Sequence, residues 1–92
     1  MDVKQAVATA KVFILDLYKD ENPSNVGLEE VELNEADDEW AVTIGFSRPW
    51  DEPRNALAAL AAPASIRRSY KIVRIANTTD EVLSVKNREL KN

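Results

Sequence analysis

The ten residues Glu39–Arg48, EWAVTIGFSR, constrain this chain more than any other stretch. Trp40, Val42, Ile44 and Phe46 recur at every second position, the spacing that places side chains on one face of a β-strand. Ala41, Thr43 and Gly45 fall between them, so one face is bulky and apolar and the other is small. A strand of this kind needs a core on its bulky side, which predicts a central position in a sheet. Its small side is flat enough for another surface to approach.

Upstream, Asp2 followed three residues later by Gln5 reads as a capping box. Val3, Ala6, Val7, Ala10, Phe13, Ile14, Leu17 and Tyr18 then lie on one stripe at helical spacing. A helix is therefore expected over residues 1–20, ending before Pro23. Val12 and Leu15 sit off the stripe, covered by loop residues or by a partner. The turn formers of Glu21–Gly27 (ENPSNVG) read as a connector. Leu28–Asn34 follows as a strand, with Val31 and Leu33 inward and Glu30 and Glu32 outward. Residues 28–48 thus form a first hairpin around the polar loop NEADDE.

After Arg48 the pattern changes. Residues 49–65 form a long connector in which Pro49 and Pro53 bracket Trp50, and the alanine-rich run Arg54–Ala62 is helix-prone up to Pro63. A structureless loop of this length is unusual in a small domain, so a short helix is expected over about residues 52–62. Leu57 and Leu60 share one face of it. Residues 66–90 form a second hairpin. Ser69–Ala76 carries Tyr70 and Ile72 on one side and Lys71, Val73 and Ile75 on the other, and Val82–Arg88 has Leu83 and Val85 inward. The polar tail from Glu89 to Asn92 is expected to fray.

Helix, two strands, connector, two strands is an α+β arrangement. Its simplest packing is a four-stranded antiparallel meander with the N-terminal helix across one face. Ninety-two residues leave room for one core, so residues 1–92 are a single domain. The opposite sheet face, assigned Ala41, Thr43 and Gly45 beside Lys71, Val73 and Ile75, is partly apolar and asks for a cover. The connector, a second copy of the chain or another protein would each supply one.

Composition removes whole classes of chemistry. The chain has no cysteine and no histidine, which excludes disulfides, thiolate nucleophiles, imidazole acid–base catalysis and the usual zinc sites. The acidic group Glu35, Asp37, Asp38 and Glu39 lacks the alternating ligand spacing and turn glycine of a calcium loop. No carboxylate pair is marked for acid–base work, and the only glycines, Gly27 and Gly45, form no phosphate loop. No catalytic residue, metal site or cofactor is assigned. No apolar run approaches the roughly 18 residues of a membrane span, and Val12–Leu15 is too short for a secretory signal, so the expectation is a cytosolic protein without a membrane partner.

Charge is divided along the chain. Residues 1–52 carry 13 acidic and 4 basic side chains, and residues 53–92 carry 3 and 8. In the meander the two hairpins lie side by side, which provides either cross-strand ion pairs or a bipolar steering surface. Nucleic-acid binding is not expected, because the chain is acidic overall, with a net charge of −4, and only Tyr70 lies among the basic residues.

In outline the element order resembles the cystatin type, although the inhibitory glycine-bearing segment and hairpin motif of cystatins are missing and protease inhibition does not carry over. EWAVTIGFSRP followed by SYKIVRIANTTDEVLSVKNREL is similar to small bacterial α+β domains of the PepSY-like kind, including gas-vesicle accessory and predicted immunity proteins. The resemblance covers about half the chain and implies a non-catalytic interaction or regulatory module. The residues expected to meet a partner protein are Trp50, Leu57 and Leu60 of the connector and Thr43, Lys71, Val73 and Ile75 of the sheet. A homodimer through the open sheet face is a further expectation. The alternative function is a small-ligand site between helix, connector and sheet, lined by Trp40, Phe46 and Trp50.

Overall fold

Asp2 and Gln5 close a reciprocal cap at the start of the chain. The Asp2 carboxylate accepts the Gln5 backbone N–H at 2.8 Å, and the Gln5 side-chain oxygen accepts the Asp2 N–H at 2.8 Å. Two amides that the first helical turn leaves without partners are thereby satisfied. A computed structural model describes residues 1–51 and 68–88. The expected connector helix, with Leu57 and Leu60, lies outside the described residues, as does the tail from residue 89.

The capped helix, α1, runs Val3–Leu17 and is followed by a 3-10 turn, Lys19–Glu21. The strands are β1 (Ser24–Asn34), β2 (Glu39–Ser47), β3 (Ser69–Ala76) and β4 (Val82–Asn87). They form one antiparallel sheet in the order β1-β2-β3-β4, with β2 and β3 at its centre. This is the α+β meander expected from the order of elements. α1 packs on β1, β2 and β3.

The core lies between α1 and the bulky face of β2. Ala6, Ala10 and Ile14, a row at i, i+4 and i+8, are fully buried against Val42, Ile44, Phe46, Val73 and Ile75. The two alanines carry only a methyl group each, so the helix backbone can approach the sheet closely. Burying side chains of the Ile, Val and Phe kind contributes roughly 1.5–3 kcal/mol each, so Ile14 and the sheet residues it packs against supply most of this stability.

Register corrects the face assigned to β3. Residues directly opposite in an antiparallel pair share a face, and Val73 lies opposite Val42 while Ile75 lies opposite Trp40. Val73 and Ile75 therefore belong to the helix-facing core, and Lys71, opposite Ile44, shares their side. Tyr70, Ile72 and Arg74 are the residues that stand beside Gly45, Thr43 and Ala41 on the far face. Both sides of β3 are apolar in part, so its own periodicity did not distinguish them.

Two bulged strands account for the other differences. β1 begins at Ser24, inside the segment expected to be a connector, and its register slips between Ser24 and Gly27 and again between Leu28 and Glu30. Asn22 and Asn25 take positive φ (50° and 54°), a conformation that asparagine tolerates well. The turn-forming residues are thus spent on bending an edge strand. The second slip leaves Glu29 as the extra residue, so Leu28, opposite Ile44, and Val31, opposite Val42, both face the helix. In β4 a bulge between Arg74 and Ile75 places Val82 opposite Ile75 and Val85 opposite Val73. Val82 takes the inward place expected for Leu83, which is 47% exposed.

Candidate functional site

The alternation of β2 continues one step past the strand, from Phe46 to Arg48, and so carries a guanidinium to the helix-facing side at the end of the core. There Arg48 donates from Nη1 to Oε1 of Glu21 at 2.7 Å and from Nη2 to Oγ of Ser69 at 2.8 Å. One side chain thereby joins the 3-10 turn after α1, the exit of β2 and the entry of β3. Its flat charge also lies near three rings, 6.0 Å from the centroid of Tyr18, 5.7 Å from Phe46 and 5.1 Å from Trp50. Tyr18 and Phe46 stack in tilted fashion at 5.0 Å. Lys71, which donates to the Asn87 side chain, brings a second cation to within 5.6 Å of the Tyr18 ring.

Ring faces attract cations, and such contacts contribute about 0.5–1 kcal/mol each at exposed positions and more where water is excluded. The inner part of this cluster is structural. Phe46 is fully buried, and Arg48, Tyr18 and Lys71 are half-buried. Trp50 is different. It sits in a 3-10 turn, Pro49–Asp51, with 58% of its surface exposed. An indole is thus presented to solvent on a charge that two hydrogen bonds hold in place.

On the far sheet face the chain's own long side chains close over Gly45 and Glu39. Arg68 reaches the Asn25 carbonyl at 2.9 Å and lies 3.9 Å from Glu29. Both of these side chains and the Tyr70 ring crowd over Gly45, where an added Cβ would stand 2.8 Å from Glu29, 2.9 Å from Arg68 and 3.1 Å from Tyr70. Glu39, assigned from sequence to the solvated acidic loop, is only 6% exposed and is ion-paired with Arg74, whose Nε donates to its Oε1 at 2.6 Å. The divided charge of the sequence appears here as pairs that join the two hairpins, Glu29 to Arg68 and Glu39 to Arg74. Thr43 is 5% exposed, so the small residues of β2 do not present an open flat surface.

Leu57 and Leu60 lie outside the described residues, and the described members of the sequence-predicted partner set do not assemble into one patch. Trp50 is exposed at the end of β2. Lys71 lies on the helix side of the sheet near Tyr18, while Val73 and Ile75 are core residues and Thr43 lies buried on the far face. Trp40 and Phe46 share a face of β2 but stand six residues, about 20 Å, apart along it, too far to line one small pocket with Trp50. The Trp40 indole is engaged elsewhere, donating to Oδ1 of Asn77 at 2.9 Å.

Sequence reasoning missed Arg48, the residue that organises the cluster. The signal was present, since Arg48 continues the even-numbered series Trp40, Val42, Ile44, Phe46. The described residues hold no helix long and apolar enough to cross a membrane. No protein-family model, curated protein or solved structure matches the chain.

Proposed function

We propose that this chain is a non-catalytic, cytosolic protein-interaction module that docks a partner protein on Trp50. The observation that carries this reading is the exposed indole held over the Arg48 guanidinium, which is itself bonded to Glu21 and Ser69. Tryptophan is among the residues that dominate binding energy at interfaces, because a single side chain removes a large apolar area from water. An anchor that is already ordered loses little rotamer freedom on binding, so more of that burial appears as affinity. The sequence supports the same class of function, since the histidine and cysteine chemistries of catalysis are excluded.

The test is affinity capture with the tagged full chain, followed by titration of whatever partner is recovered in stoichiometric amount. Trp50→Ala should weaken that association by about 2 kcal/mol or more, roughly thirtyfold, as expected for truncation of a central aromatic anchor. Circular dichroism of the variant should be unchanged, because Trp50 lies outside the core. Capture that survives Trp50→Ala undiminished would remove Trp50 as the docking point.

A further inference from the structure

The outer side of α1 carries an apolar stripe that the core does not use. Ala8, Val12 and Leu15 point away from the sheet, with Val12 67% and Leu15 45% exposed. Their spacing, i, i+4, i+7, is that of a coiled-coil seam, in which Ala8 and Leu15 take d positions and Val12 an a position. Shallow depressions flank the ridge on both sides. One is lined by Thr9, Val12, Phe13 and Asp16, the other by Lys4, Val7, Lys11 and Leu28, and both touch Ala8. A ridge between two grooves is the shape that a second helix of the same kind can interlock with.

We propose that α1 pairs with α1 of a second copy of this chain, in parallel and in register, through Ala8, Val12 and Leu15. Charge decides both the occupant and its direction. With Val12 at a, Lys11 falls at g and Asp16 at e, on opposite flanks of the stripe. In a parallel pair a g residue meets the e residue five positions on in the partner helix. Lys11 of each copy then faces Asp16 of the other, twice by symmetry. An antiparallel pair would bring g to g, setting Lys4 and Lys11 of one helix against the same lysines of the other. Within one copy, among the described residues, the Asp16 side chain has a loose contact with Lys19, 3.8 Å between two exposed groups, which leaves it able to turn to a new partner.

A free helix of two heptads would not hold such a dimer, because its ordering cost is too large. Here α1 is already built on the sheet and capped at Asp2, so association needs only docking. Fifteen residues also cover less area than a standard interface, so the dimer is weak and reversible.

Sedimentation of the full-length chain over about a hundredfold range of concentration tests this directly, since mass action drives a weak dimer at the upper end. The expected result is a monomer–dimer equilibrium whose dissociation constant rises about tenfold or more in Val12→Glu, a loss of at least 1.4 kcal/mol, with the circular dichroism spectrum unchanged. Charge reversal supplies an independent check. Lys11→Asp and Asp16→Lys should each be monomeric alone, and the two variants mixed should dimerise with each other, since every cross-pair is then of opposite sign. A chain that stays monomeric throughout, a dimer indifferent to Val12→Glu, or a mixture that fails to associate would each overturn the proposal. Partner capture through Trp50 should persist in Val12→Glu, so the two surfaces can fail separately.

Discussion

Asn77 ties Trp40 to the opposite hairpin loop. Its side-chain oxygen accepts the Trp40 indole N–H at 2.9 Å, its side-chain nitrogen donates to the Asp38 carboxylate at 3.0 Å, and its backbone N–H donates to the Asp38 carbonyl at 3.0 Å. The turn between β1 and β2 and the turn after β3 are thus joined at one residue. Asp38 holds its place with a positive φ of 50°.

Replacing Asn77 by alanine deletes both side-chain bonds and leaves a half-buried indole N–H without its acceptor. Such a loss costs about 1–3 kcal/mol, which for a domain of this size lowers the melting temperature by at least roughly 4 °C. Thermal denaturation of Asn77→Ala measures it, and a shift within error would show that water replaces the bond at no cost.

Arg74 and Glu39 make an unequal pair. The Glu39 side chain is 8% exposed and that of Arg74 is 40% exposed, so removing either partner has a different consequence. Arg74→Ala strands a buried carboxylate. Loss of one partner from a fully buried pair costs about 3–5 kcal/mol, and the partial exposure of Arg74 reduces this to about 2 kcal/mol. Glu39→Gln, which keeps the shape and removes the charge, should cost less. Urea denaturation of both variants gives the order, and equal losses would mean that the carboxylate is effectively solvated.

Ile72 and Ile75, three residues apart on β3, should respond differently to truncation. Ile75 is fully buried against α1, and Ile75→Ala is expected to cost about 2–5 kcal/mol through the cavity it leaves. Ile72, on the far face opposite Thr43, is half-buried and should lose markedly less on the same change. The denaturation midpoints of the two variants check the register itself. A larger loss at Ile72 would place the core on the other side of the sheet.

Gly45 is required by close approach. Its backbone has no positive φ, so the constraint comes from the Glu29 and Arg68 side chains and the Tyr70 ring above it. Gly45→Ala displaces the flexible ends of Glu29 and Arg68, presses the Tyr70 ring slightly and should cost about 1 kcal/mol, while Gly45→Val, whose two further methyl groups must push the same neighbours farther, should cost about 1–3 kcal/mol. Equal stability of the two variants would show that the face opens freely there.

Much of the fold is legible in the order of the residues. The Asp2–Gln5 cap and the row Ala6, Ala10, Ile14 follow from helical spacing, and the role of β2 follows from its strict alternation. Cover of Val12 and Leu15 by loop residues, one of the two expectations for them, is not met, since both are exposed. The candidate site is less legible. Trp50 can be singled out, but what holds it, the Arg48 bonds to Glu21 and Ser69, spans 27 and 21 residues of sequence.

The division has a physical basis. The sequence by itself determined where this chain changes its period, because backbone geometry makes side chains recur every 3.6 residues in a helix and every two in a strand. Periodicity says that neighbours in a strand lie on opposite faces, without saying which face meets the helix. For β3, apolar on both sides, only hydrogen-bonded register with β2 decided that Val73 and Ile75 turn inward. The bulges at Glu29 and Leu83 had the same effect locally, since one extra residue reverses every face that follows it. The surroundings of Trp50 and the pairing of Glu39 with Arg74 came from tertiary structure for the same reason, because each depends on which strands lie side by side.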